Sequence, residues 1–143
     1  MKQRPARVEP LPSYMRRVVP FWRTLGLRAV RIGSGSAVFS CSFRPGYLQN
    51  GVAHGGVVAS LLDSALACAA LSRIYPHAYA TTSQMHVTFL RPFVRGTLTA
   101  RAKCLKAGRT LLFCEAKAYD ARGRLVATAE SELIRIPFPV PPR

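Results

Sequence analysis

The chain has 143 residues, 49% of them hydrophobic and 19% charged, and its 21 Lys and Arg against 6 Asp and Glu give a net charge of +15. This length suits one domain that buries roughly 68–70% of its unfolded surface, and the composition excludes a disordered chain. The longest apolar stretch, Gly55 to Leu71, carries Asp63 near its middle and is shorter than the ~20 residues a bilayer span needs, so no membrane association is expected.

Residues 1–12 read as a loose lead rich in Pro and Arg. Pro5, Pro10, Pro12 and Pro20 interrupt the region, so no secretory signal is expected. "SYMRRVVPFWRTLG" predicts a short helix capped by Ser13, with Met15, Val18, Val19 and Trp22 on its apolar stripe. Pro20 should kink or break it and Gly26 should end it. "LRAVRI" and "SAVFSCSF" alternate as two strands joined at Gly33-Ser34-Gly35, a hairpin signal, and "RPGYLQNGVAH" reads as a loop.

From Gly55 to about Arg73 the Ala and Leu content predicts a long helix that stops near Tyr75-Pro76. Long alternating strands follow in "ATTSQMHVTFLRP", "GTLTARAKCLK", "RTLLFCEAKAYD" and "RLVATAESELIRI". Turns at Lys106–Arg109 and Asp120–Gly123 make them antiparallel neighbours. "PFPVPPR" cannot join a ladder and reads as a tail, leaving residues 13–137 as the single domain and 138–143 outside it. A helix this apolar needs cover on every side. A curved antiparallel sheet of about five or six strands around it would supply that, which is an α+β layout.

The four cysteines, Cys41, Cys68, Cys104 and Cys114, show neither CxxC nor His-Cys spacing. They are expected to be free and buried in a reducing compartment, the cytoplasm, with no metal site. The surplus of cations could serve nucleic acid, an anionic membrane surface, or a small or protein-borne anion. They are scattered, with no block longer than Arg16-Arg17, no helix-turn-helix pattern and no basic-aromatic stripe, so nucleic acid is not the expected partner.

On a helical wheel Gly56, Ala59, Ser60, Ala67 and Ala70 surround Asp63, while Val57, Val58, Leu61, Ala65 and Cys68 lie opposite. The bulky side is core. The small side lets a second backbone approach closely, and it carries an isolated carboxylate with no Lys or Arg three or four positions away. Buried without partners such a group costs several kcal/mol, so it is kept mainly where it is paired or does chemistry. The opposing structural role for Asp63 would be to cap a nearby loop. Upstream, His54-Gly55-Gly56 marks a helix start whose free N–H groups, at Gly55 or Gly56, could stabilise negative charge on a carbonyl oxygen under attack. These glycines lie about 10–12 Å from Asp63 along the axis, too far for one carbonyl to touch both. Two antiparallel copies of the helix would bring them together in a symmetric dimer with shared sites.

"GVAHGGVVASLLDSALACAA" followed by "TTSQMHVTFLRPFVRGTLTARAKCLKAGRTLLFCEAKAYDARGRLVATAES" resembles the hotdog-fold acyl-CoA thioesterases, in their PaaI-like branch, over about Pro20 to Ile136. The resemblance implies a hotdog fold and hydrolysis of an aryl- or medium-chain acyl-CoA to free acid and CoA, without cofactor. It implies Asp63 as general base or nucleophile and the Gly55 amide as donor to the thioester carbonyl. It also implies that His54 holds the loop, that Asn50 orients water or carbonyl (a role the neighbouring Gln49 could take), and that the Thr82 hydroxyl positions the nucleophile. Relatives form homodimers, often paired into tetramers. Arg91, Lys106, Arg109 and Arg124 sit at strand ends or turns where cations could meet the CoA phosphates, or an acidic acyl carrier protein. The alternatives are a non-catalytic acyl-CoA-binding module and a hotdog hydratase or dehydratase. Ser60 and Ser64 lie outside any GxSxG elbow, and Cys68 is on the core side, so neither type is the expected nucleophile.

Overall fold

A computed structural model describes residues 8–139; residues 1–7 of the expected lead and 140–143 of the expected tail lie outside the described residues. The predicted N-terminal helix is two: α1, Leu11–Val18, and α2, Phe21–Thr24, separated at Pro20. Pro10, not Ser13, occupies the N-cap of α1, and Pro12 in its first turn needs no amide partner there. Strands β1, Leu27–Gly33, and β2, Ser36–Ser42, form the expected hairpin. Ser34 and Gly35 both have positive φ, 53° and 76°, as a two-residue turn with the twist of its flanking strands requires.

The expected loop before the long helix holds more structure than predicted. A 3-10 turn at Pro45–Tyr47 leads into a short hairpin, β3 Leu48–Gln49 and β4 Val52–Ala53, which turns at Asn50-Gly51 with φ of 51° and 81°. Asn-Gly is the strongest short hairpin signal, but the flanking strands are two residues each and show no alternation to read. The long helix α3, Gly55–Ile74, stops one residue before Tyr75, whose extended backbone precedes Pro76.

Strands β5, Ala78–Phe89; β6, Thr97–Ala107; β7, Leu111–Tyr119; and β8, Leu125–Pro137 complete a six-stranded antiparallel sheet in the order β1-β2-β6-β7-β8-β5. Contrary to the predicted tail, Pro137 ends the ladder opposite Ala78, and the Phe138 ring packs against Tyr14, Tyr75 and Tyr79. Helix α3 lies against one face of the sheet, where Leu61, Leu62 and Leu66 meet Phe39, Leu98, Leu112 and Leu133 with essentially no exposure. Among the described residues it is the one helix long and apolar enough to cross a membrane, and it is instead the core helix of this sheet.

All four cysteines are free and buried. Burial pushes the Cys41 thiol up to about 11 and that of Cys68 higher still, which keeps both protonated and unreactive. Because Leu66 is fully enclosed, Leu66→Ala should cost about 2–5 kcal/mol, read as a lower denaturant midpoint with an unchanged slope.

Candidate active site

The start of α3 is held from three sides. The Ala53 amide donates to the Phe93 carbonyl at 2.8 Å, and the His54 amide donates to the Tyr47 carbonyl at 2.7 Å. The His54 ring then caps the helix, its Nδ1 accepting from the Gly56 amide at 2.8 Å. Of the two glycine amides, that of Gly56 is therefore engaged. The Gly55 amide, at the first helical position, has no intrahelical acceptor and takes none among the described residues. A Cβ at Gly55 would stand 3.4 Å from the Phe89 ring, so a side chain there would narrow the approach to this amide. Gln49, Asn50, Gly55, Phe89, Arg91 and Phe93 surround it in one groove of about 470 Å³.

Two turns further along, Asp63 is half-buried among the small residues Ser60 and Ala67. The Thr82 hydroxyl, from β5, donates to Asp63 Oδ1 at 2.8 Å. Asp63 makes no ion pair among the described residues. It opens onto a second cleft, of about 280 Å³, whose apolar walls come from Met15, Val19 and Trp22 on the N-terminal helices. Trp22 is anchored from below: its Nε1 donates to Ser64 Oγ at 3.1 Å, and that hydroxyl donates to the Ser60 carbonyl at 2.8 Å.

The clefts share no lining residue. One chain thus carries an amide donor in one hollow and a carboxylate in the other, about 12 Å apart along α3. Asn50, Gln49, His54 and Arg91 accompany Gly55, and Thr82 accompanies Asp63. Arg91 is fixed by donating from Nη1 to the Leu125 carbonyl at 2.9 Å. Lys106 and Arg109, at the β6–β7 turn, line neither cleft. Arg124 is tied to Asp120 at 2.7 Å, and hydrogen bonds led by the Arg124 amide hold the Asp120 carboxyl below its usual range.

Phe89, Phe93, Met15, Val19 and Trp22 were not predicted as site residues. Trp22 and Val19 were legible as an apolar stripe, but nothing in their spacing says that the stripe walls a cleft beside Asp63. Phe93 lies in a Pro-containing loop whose path no periodicity reports.

One apolar helix wrapped by a six-stranded antiparallel sheet, with a glycine-rich helix start and a carboxylate on the helix's open side, is the hotdog fold in its PaaI-like form. The sequence profile described as the thioesterase superfamily matches residues 50–127, and the chain belongs to that family. A protein of Saccharolobus solfataricus provisionally named an esterase is 25% identical over 123 residues, which are 85% of this chain and 87% of that one. Among solved structures, the Escherichia coli PaaI protein from the phenylacetic acid degradation operon superposes with a TM-score of 0.82 at 27% identity, covering 87% of this chain and 90% of that one. A thioesterase family protein from Silicibacter pomeroyi gives 0.83 at 30% identity, covering 89% and 96%. Family and neighbours together support thioester hydrolysis as the activity.

Proposed function

We propose that the chain hydrolyses acyl-CoA thioesters at a site completed by a second copy, with Asp63 as its catalytic carboxylate and the Gly55 amide as its oxyanion donor. The observation that carries this is the Thr82–Asp63 contact: a hydroxyl fixes one carboxylate oxygen, no cation among the described residues pairs with the group, and an apolar cleft lies in front of it. Two copies of α3 running antiparallel through their small-residue sides would set Gly55 of each beside Asp63 of the other. The free edge of β5, the last strand of the sheet and the bearer of Thr82, lies on the same side of the molecule and could pair with its equivalent.

In this site the thioester carbonyl oxygen faces the Gly55 N–H, and the acyl group enters the cleft walled by Met15, Val19 and Trp22. With Oδ1 held by Thr82, Oδ2 takes a proton from water and the hydroxide adds to the carbonyl carbon. Negative charge grows on the carbonyl oxygen, where the amide stabilises it. The C–S bond then breaks, the thiolate of CoA leaves and recovers the proton from Asp63, and the free acid remains. The alternative is direct attack by Asp63, forming an acyl-enzyme anhydride that water then opens. A single turnover in ¹⁸O-water separates the two: the first places the label in the product acid, whereas an anhydride opened by water at the Asp63 carbonyl places it in the Asp63 side chain.

Assaying thiol release from a panel of aromatic and aliphatic acyl-CoAs, with acyl carrier protein thioesters alongside, tests the activity and its substrate. Release from none of them would overturn the proposal. Thr82→Val should lower kcat by about tenfold to a hundredfold with little change in KM, the effect of losing a hydrogen bond to a charged group. Thr82→Ser should recover most of it.

A further inference from the structure

The cleft at Asp63 has a polar end and an apolar end. Asp63, Ala67 and Leu71 follow one another at four-residue spacing along one side of α3, and all three line the cleft. It therefore runs from the carboxylate towards the C-terminal end of the helix for about 12 Å, at 1.5 Å per residue. Polar groups gather at its mouth, where the Thr82 hydroxyl meets Asp63 and the Ser60 hydroxyl donates to the Gly56 carbonyl at 2.7 Å. Further in, the Ser64 hydroxyl is engaged on both sides, by Trp22 Nε1 and the Ser60 carbonyl. From there to Leu71 the enclosed lining is Met15, Val19, Ala67 and Ala80, which offer only apolar side chains; Thr81 beside them is exposed.

The walls are held in place without an occupant. The Trp22 ring is 5% exposed and stands edge-on to Phe39, with centroids 4.9 Å apart. At the far end the Tyr75 hydroxyl donates to the Glu9 carbonyl at 2.6 Å, tying the chain before α1 to the end of α3. In the arrangement proposed above the partner's helix starts opposite Asp63 and runs the other way, so it leaves the stretch from Ala67 to Leu71 open. With C–C bonds of about 1.5 Å, an extended alkyl chain advances about 1.25 Å per carbon, so this length takes about nine carbons. A methylene fills about the space of a water molecule, about 30 Å³, and the cleft volume of about 280 Å³ gives the same figure.

We infer that the cleft is the pocket for an unbranched acyl chain of about ten carbons, its carbonyl at Asp63, with Ala67 keeping the slot clear at its midpoint and Leu71 closing its end. As a statement about substrate this rests on the thioester hydrolysis proposed above; as a statement about what the cleft binds it does not. A phenylacetyl group reaches about half as far and would leave the Leu71 end unfilled, forfeiting its contacts. No Lys or Arg lines the cleft, so an acyl group ending in a second carboxylate would find no counter-ion there.

Trp22 is the chain's one tryptophan and a wall of the cleft, so its emission reports the occupant without turnover. The whole chain is titrated with straight primary alcohols from ethanol to tetradecan-1-ol, which carry no charge for Asp63 to repel, and with 2-phenylethanol. The Kd should fall about threefold to fourfold with each added methylene, up to about decan-1-ol, and level off beyond it. Ala67→Leu, about 6 Å from Asp63 along the helix, should move that break to about five carbons. Leu71→Ala should move it past decan-1-ol, and kcat/KM across a series of acyl-CoAs should break at the same lengths. Affinity that does not rise with length, 2-phenylethanol binding as tightly as decan-1-ol, or a break that neither substitution moves would overturn the inference. A break at decan-1-ol without thiol release from any acyl-CoA would keep the pocket and discard the reaction. Release fastest from phenylacetyl-CoA would keep the reaction and discard the pocket's assignment.

Discussion

Replacing Asp63 with Asn is expected to leave a folded oligomer whose thioester turnover falls roughly 10²–10⁴-fold, the usual contribution of a positioned acid–base group. The substitution is nearly isosteric, and the amide oxygen can still accept from the Thr82 hydroxyl that now reaches Asp63 Oδ1 at 2.8 Å. What it removes is the ability to hold a proton or to attack a carbonyl. A structural role predicts a lowered melting temperature with turnover intact. A catalytic role predicts the reverse: Asp63 is half-buried with no ion pair among the described residues, so neutralising it should leave stability unchanged or raise it slightly, because a partly desolvated charge disappears. Thiol release and thermal melting measured on the same preparation separate these outcomes. Undiminished turnover would show that the chemistry lies elsewhere.

Gly55→Pro is expected to lower turnover by roughly 10²–10³-fold, the cost of deleting one oxyanion donor. Proline is a drastic change at most positions, but here it is a narrow one. Gly55 is the first residue of α3, where proline is well tolerated, and its amide makes no hydrogen bond among the described residues. His54 already has φ −55° and ψ 135°, the extended backbone that a residue before proline prefers. The substitution therefore removes the N–H while leaving the helix start in place. Co-expressed with Asp63→Asn chains, this variant also tests whether the site is shared. Randomly paired dimers should recover about one quarter of wild-type activity, since half are mixed and each mixed dimer holds one intact site. A site contained within one chain would recover none.

Several features of this protein are legible in one dimension because they depend on local periodicity. The burial of alternate residues in β6 and β7, the apolar run of α3, the break at Pro20 and the turn at Ser34-Gly35 each follow from side-chain spacing or backbone sterics over a few residues. The isolation of Asp63 could be read in the same way, because the partners a helix can supply lie three or four positions away and none is charged. The misreadings came where the local signal was too short or came from elsewhere. Ser13 resembled a cap, but Pro10 and Pro12 start α1 earlier. The β3–β4 hairpin is too short to show a period, and Phe138 is held by aromatic rings from three other segments.

From its order of residues alone the chain specified an α+β fold, the apolar helix, a lone carboxylate on that helix's small side and glycine amides at its start. Folding decided which amide stays free, because the His54 ring turns back onto Gly56. It also placed Thr82 on Asp63 across 19 positions of sequence and put Trp22 under the neighbouring cleft. Spacing reports what a residue presents within its own helix or strand. What meets it from another element depends on strand register and on how layers pack, and both are set by burial summed over the whole domain.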